Sequence, residues 1–259
     1  MSACLAFVAC LPQYQDYVRR GVPAKNRNEV VALFGTTQGS SELGLICSGV
    51  AIKKDLILTA AHCACNKQIK EVRFGYQVIP ASAAESIPTE ENETTIRARC
   101  DHIAEDGDLA TIKLKYPPRT HNASVAKMAS DVDIGRVVEG SGLIITGYAP
   151  TNGASGRRNF GTAHIMDARC SASEFYGCFK GREFVVGPVG YVSGDVGACP
   201  GDSGSPALLL PEGANVEASG VIVGIASRSY KGAEVCGGGS IYVLLSGAQR
   251  EWVNHQLLN

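Results

Sequence analysis

Short β-rich runs, none longer than ten residues, recur along this chain between turn residues, and that rhythm restricts it to folds built from many short strands. The runs are Val30–Phe34, Gly49–Leu58, Val72–Ile79, Leu109–Leu114, Gly142–Tyr148, Phe184–Val192, Ser205–Leu210, Ser219–Ser227 and Ser240–Leu244. Thirty glycines and eleven prolines punctuate them, and helical periodicity is scarce, so the pattern points to a sandwich or barrel. At 259 residues the chain can form one large all-β domain or two small ones. Only Ser246–Leu258 departs: Ala248, Trp252, Val253, Leu257 and Leu258 recur near helical spacing, which predicts a C-terminal amphipathic helix. Residues 149–161 have the composition of an exposed loop.

Apolar residues make up 45% of the chain and charged residues 19%, enough for a sizeable core. The formal net charge is -1 and Lys and Arg are scattered, which argues against a nucleic acid or an anionic membrane surface as partner. No segment approaches the roughly 20 apolar residues of a membrane span. Ten cysteines, an even number, and two Asn-x-Ser/Thr sites at Asn92 and Asn122 lean toward an oxidising compartment, so the protein is expected to be secreted or extracellular. Residues 3–11 are apolar but short, and no basic residue precedes them, which is not the pattern of a secretory signal. Residues 1–17 are expected to be a propeptide or the remnant of a longer leader.

The segment from Cys199 to Pro206 sets Ser203 between Gly201-Asp202 and Gly204-Ser205. Such a turn lifts the serine hydroxyl out of the backbone and leaves the amides of Gly201 and Ser203 free to point at one spot. Two donors so placed stabilise the oxyanion of an acyl-transfer intermediate, each by roughly 3–4 kcal/mol. Upstream, Leu56–Cys63 reads as a strand running into a small-residue turn that ends in His62, and Gly107–Leu114 as an aspartate, Asp108, opening an apolar strand. A serine hydroxyl is a weak nucleophile until a base takes its proton, and imidazole suits that task near neutral pH. The imidazole needs a buried carboxylate to fix its tautomer and stabilise its charged form. Ser203, His62 and Asp108 are therefore the candidate catalytic residues. Asp106 is the weaker carboxylate, because Asp108 directly opens the strand, and His102, His121 and His164 lack a comparable frame. His62, Cys63 and Cys65 also have the side chains of a metal site, but that reading leaves the Asp108 and Ser203 segments unexplained. No metal or cofactor is expected.

Thr59-Ala60-Ala61-His62-Cys63, then Asp108-Leu109-Ala110, then Gly201-Asp202-Ser203-Gly204 followed by Pro206, in that order, resemble the trypsin/chymotrypsin family of serine proteases. The resemblance runs from about Val18 to the C-terminal helix. It implies an all-β fold of two packed six-stranded antiparallel barrels with a C-terminal α-helix, forming a protease domain over residues 18–259 that divides near residues 120–140. It implies a serine endopeptidase that hydrolyses peptide bonds through a Ser203–His62–Asp108 triad and an acyl-enzyme. Such a protein acts on proteins or peptides, can be bound by protein protease inhibitors, and is monomeric. The alternative is a catalytically silent relative that binds partners through the same surface; an intact triad and oxyanion segment speak against it.

The resemblance also assigns the surroundings of the triad. Gly197, six residues before the nucleophile, falls at the floor of the pocket for the side chain preceding the scissile bond, with Ala198, Ser227, Arg228, Ser229 and Ser240 as further substrate-binding positions. Without a carboxylate at 197, and with two serines where glycine is common, an uncharged, chymotrypsin- or elastase-like preference is expected. Arg228 stands where a tryptophan commonly supports the substrate backbone; it could favour acidic groups upstream or point to solvent. The disulfides implied are Cys47–Cys63 and Cys199–Cys236; arithmetic alone then leaves Cys170–Cys178, Cys65–Cys100 and Cys4–Cys10. Leu143 and Leu209 fall where relatives often carry another bridge. Family members are made as zymogens, which here implies cleavage before Val18 and pairing of its new ammonium with Asp202.

Overall fold

The computed structural model of the chain describes residues 21–37, 39–65, 67–75, 77–80, 84–87, 107–114, 117–119, 123–149, 157–187, 197–233 and 236–258. A two-residue strand, β1 (Val22–Pro23), opens the described chain. It is followed by β2 (Val30–Thr37), β3 (Gly44–Lys53), β4 (Leu56–Thr59), a one-turn helix α1 (Ala61–Cys65), β5 (Lys67–Phe74), β6 (Gln77–Pro80), β7 (Ala84–Ile87) and β8 (Ala110–Leu114). The second half holds β9 (Lys127–Met128), α2 (Asp131–Gly135), β10 (Gly142–Gly147), β11 (Asn159–Asp167), α3 (Ser173–Tyr176), β12 (Glu183–Gly187), β13 (Pro206–Leu209), β14 (Val221–Ser229), β15 (Ser240–Leu244) and the C-terminal helix α4 (Gly247–Leu258).

The strands form two sheets. In the second half the order β11-β10-β13-β14-β15-β12 closes on itself through β11–β12 pairing, giving a six-stranded barrel to which β1 and β9 add short edges. In the first half the order is β6-β5-β2-β3-β4-β8-β7, which among the described residues is an open half-barrel rather than a closed one. All pairings but β9–β14 are antiparallel. The all-β architecture with a C-terminal helix is as expected; of the two six-stranded barrels expected, the second is closed, and the first is a seven-stranded half-barrel among the described residues.

Period-two alternation explains how the first sheet is filled. In β2, Val31 and Leu33 join the barrel core with Ile57, Val72 and Ile112. Val30, Ala32 and Phe34 point the other way and pack on Tyr148 from the second half. Both faces are covered, so this strand reads as a continuous apolar run rather than an alternating one. A third cluster joins the halves: Val50, Leu56, Leu58 and Leu109 meet Ile144, Leu208, Ile225 and Val243, with Trp252 and Val253 of α4 closing it. The C-terminal helix therefore braces the segment that carries Asp108. Leu258, placed on that apolar face by its spacing, is exposed, and Gln249 is buried instead, against Gly107.

Two runs that read as single strands are hairpins. Gly49–Leu58 breaks at Lys54–Asp55, and Val72–Ile79 breaks at Gly75, whose φ of 59° is open to glycine at little cost. Part of the stretch 149–161 is not loop either, since Asn159, Phe160 and Gly161 begin β11, with Asn159 and Phe160 buried. Leu143 and Leu209 are both buried in the core of the closed barrel, an apolar contact where relatives often place a bridge.

Candidate active site

The site forms where the two sheets meet. His62 sits in the single turn of α1, directly after β4, and Asp108 precedes β8, which pairs with β4. That pairing delivers the carboxylate to the imidazole. Asp108 Oδ2 is 2.7 Å from His62 Nδ1, and the His62 backbone amide donates to Oδ1 at 2.9 Å. From the other barrel, the Ser227 hydroxyl donates to Oδ2 at 2.6 Å. Asp108 is 2% exposed against 26% for the histidine side chain. Burial alone would raise the Asp108 carboxyl, but the His62 ring, the Ser227 hydroxyl and the His62 amide outweigh it and hold the group below its ordinary value. A carboxylate that accepts at Nδ1 requires the proton there, leaving Nε2 with a free lone pair in neutral imidazole.

Ser203 and His62 both adjoin the Cys47–Cys63 disulfide. Cys63 Sγ is 3.7 Å from His62 Nε2 and 3.8 Å from the Ser203 carbonyl oxygen. No hydrogen bond joins the Ser203 hydroxyl to the imidazole in this structure; catalytic hydrogen bonds are often loose until substrate is bound. The loop around the serine is gripped from the first sheet. Ser48 of β3 donates its backbone amide to the Ser203 carbonyl at 2.8 Å and its hydroxyl to the Gly201 carbonyl at 2.8 Å. Tyr148 N in turn donates to Ser48 Oγ at 3.1 Å. With both carbonyls held, the amides of Gly201 and Ser203 are left, and among the described residues neither donates to another group. Gly201 has φ 103° and Gly204 φ 83°; a Cβ at Gly204 would also press on Ala60 N at 2.9 Å, so glycine is required there on two counts. Ser205 is not among the positive-φ residues, which explains why serine is tolerated in the place of a second glycine.

Beside Ser203 lies a cleft of about 200 Å³ lined by Ala198, Cys199, Pro200, Ala226, Ser227, Arg228, Ser229 and Ser240. Ser229 and Ser240 face each other in register across β14 and β15. Gly197 packs against the backbone of Gly237, where an added Cβ would come within 2.7 Å of a main-chain carbon. Arg228 is only partly exposed and does not offer a free charge: its guanidinium forms a two-pronged pair with Glu183, at 2.7 and 2.9 Å.

Asp202 is turned away from the cleft and buried at 1% exposure. Its oxygens accept from Cys199 N and Ala149 N, both at 2.9 Å. These neutral donors do not offset burial, which lifts the carboxyl to about 6. Val18, its expected partner, lies outside the described residues. Cys47–Cys63, Cys170–Cys178 and Cys199–Cys236 are bonded as expected. Cys65 is also disulfide-bonded, while Cys100, Cys4 and Cys10 lie outside the described residues. Cys47, His62 and Cys63 cluster closely enough to suggest a metal site, but the two sulfurs are spent on each other.

Sequence reasoning missed Ser48, Glu183 and the carboxylate-holding role of Ser227. Ser48 and Glu183 stand in ordinary strand contexts; only the neighbourhood of Cys47 hinted at the first.

A family model for trypsin matches residues 18–250, and the chain belongs to the trypsin family. It is 27% identical to chymotrypsin of Phaedon cochleariae over 66% of this chain and 61% of that protein. It is 26% identical to brachyurin of Leptuca pugilator over 62% of this chain and 69% of the relative. The match to chymotrypsin-C of Bos taurus is 24% identical over 82% and 78%. The chain thus spans less than two thirds of the Phaedon protein it matches. A solved structure of HL collagenase superposes with a TM-score of 0.68 over 92% of this chain and 97% of that one, at 18% identity, a likeness of fold.

Proposed function

We propose that this protein is a serine endopeptidase in which Ser203 attacks the scissile carbonyl, His62 Nε2 takes its proton, and Asp108 holds the imidazole. The observation that carries this reading is the Asp108–His62 Nδ1 contact at 2.7 Å, set beside a loop whose Gly201 and Ser203 amides have no other acceptor among the described residues. The tetrahedral oxyanion is received by those two amides. His62 then returns the proton to the leaving amine, and water hydrolyses the acyl-enzyme by the same steps in reverse. Substrates are proteins or peptides, and the three described disulfides fit a secreted, oxidising setting.

The preferred side chain before the scissile bond is uncharged. Among the described residues Arg228 is the one charged group lining the cleft, and Glu183 pairs with its charge; Gly197, expected at the floor, is not among the lining residues and packs against Gly237 instead. The chain is made as a zymogen: cleavage after Tyr17 frees Val18, whose ammonium supplies Asp202 with the cation its neutral donors do not. A panel of peptides differing only at the position before the cut tests the preference, with Ser203→Ala as blank. The cleaved enzyme should favour apolar or aromatic residues over Lys and Arg by at least about tenfold in kcat/KM. Highest turnover on Lys or Arg would refute the pocket assignment.

A further inference from the structure

The Arg228–Glu183 pair takes no part in the chemistry above, yet it touches the machinery at one atom. Glu183, at the start of β12, has a side chain only 1% exposed and accepts from Phe179 N at 2.7 Å as well as from both guanidinium nitrogens. Arg228 Nη2 also donates to the Gly177 carbonyl at 3.0 Å, inside the loop closed by Cys170–Cys178, and the Phe179 ring lies 5.5 Å from the guanidinium carbon. The remaining contact is Nη1 to Ser227 Oγ at 3.3 Å. Ser227 is the residue whose hydroxyl donates to Asp108.

A hydroxyl has one proton to give and two lone pairs to offer, and a guanidinium can only donate. Where Arg228 points at Ser227 Oγ, that oxygen must accept from it, so its single proton is kept for Asp108. Resting on the protease reading above, we propose that Arg228, held by buried Glu183, is a positioning residue that orients the Ser227 hydroxyl onto Asp108 and thereby steadies the Asp108–His62 pair. The chain of contacts is Glu183, Arg228, Ser227, Asp108, His62, and it crosses from the wall of one barrel to the other. The charged and titratable groups facing it are His62 and, at longer range, Lys67 around Asp108, with Arg182 also over the Phe179 ring that Arg228 overlies.

Two variants separate this role from a structural one. Arg228→Lys keeps the charge beside Glu183 but has no planar fork to reach Ser227 at the same time. The double variant Arg228→Leu/Glu183→Leu removes both charges, so that neither is left buried alone. Each is measured against the wild type on a single-residue ester, which has nothing upstream to touch the cleft wall, and by carbon-13 NMR titration of the Asp108 carboxyl. The proposal predicts kcat on the ester lowered on the order of fivefold, the worth of one hydrogen bond, with KM near the wild-type value. It also predicts an Asp108 midpoint moved upward, because a donor to the ionised form has been loosened. An unchanged kcat and an unmoved Asp108 midpoint in whichever variant folds would overturn it, as would changes confined to KM on longer peptides. The titration needs no turnover, so an inactive wild type would refute the protease reading without deciding this one.

Discussion

Asp108 and Asp202 are two aspartates in nearly equal burial, 2% and 1% exposed, within one catalytic neighbourhood, and their carboxyls are displaced in opposite directions. Desolvation pushes both upward. Asp108 overcomes it with an imidazole at 2.7 Å, a hydroxyl at 2.6 Å and an amide at 2.9 Å. Asp202 has backbone amides for partners and is left near 6. Burial therefore does not decide a carboxylate's state; the charge and number of its donors do. Among the described residues Asp108 meets an imidazole and a hydroxyl as well as an amide, whereas the donors to Asp202 are backbone amides alone.

The comparison can be broken most severely at Asp108. Asp108→Asn should lower kcat about 10⁴-fold, since an amide no longer enforces the Nδ1–H tautomer. Ester hydrolysis beside a thermal melt is the check, and the melt should move far less than the rate. At Asp202 the effect is on stability and its sign is reversed. A raised folded value means stability that is full below the ordinary carboxylate value and lost as pH rises through about 6, a loss on the order of 3 kcal/mol in the uncleaved chain. Asp108, lowered on folding, does the opposite: its contribution is present above the ordinary value and fades in acid. Urea unfolding of the uncleaved protein between about pH 4 and 8 should show the Asp202 limb, which Asp202→Asn should flatten, while the Asp108 limb emerges only when the series is carried to acid below about pH 4.

Packing sharpens the contrast at a smaller scale. A Cβ at Gly147 would fall 2.7 Å from Asp202 Cγ, so Gly147→Ala should cost roughly 1–3 kcal/mol by overpacking. Gly142, where the nearest atom is 3.6 Å away, should accept alanine at little cost. The smallest expected effect on the rate is that of Ser227→Ala, which removes one donor of three from Asp108. It should cost about 1 kcal/mol of transition-state stabilisation, or roughly fivefold in kcat.

The same division marks what could be read in the sequence. His62, Asp108 and Ser203 each sit in a local frame of small residues and apolar strand, because the turn geometry and the burial they need are encoded beside them. The strand rhythm likewise foretold an all-β fold, and its errors were two hairpins and the start of one strand: Lys54–Asp55 and Gly75 are turns lodged inside runs that remain apolar on both sides, and Asn159–Gly161 begins a strand inside a stretch with loop composition. Ser48 and Glu183 carried no such mark. Their roles come from register and barrel packing, which bring Ser48 onto the Gly201 and Ser203 carbonyls and Glu183 under Arg228, and neither partner is near in sequence. Arg228 illustrates the limit well. The sequence offered it as a free charge for substrate or solvent, and the fold gives that charge to a buried glutamate.

The central claim is that Ser203 is a nucleophile activated by His62, and reaction of the folded protein with a fluorophosphonate probe, mapped by mass spectrometry, tests it most directly. The account predicts a single adduct on Ser203, formed faster after cleavage next to Val18 and abolished by His62→Ala. Folded, cleaved protein that remains unlabelled, or an adduct on another residue, would contradict it.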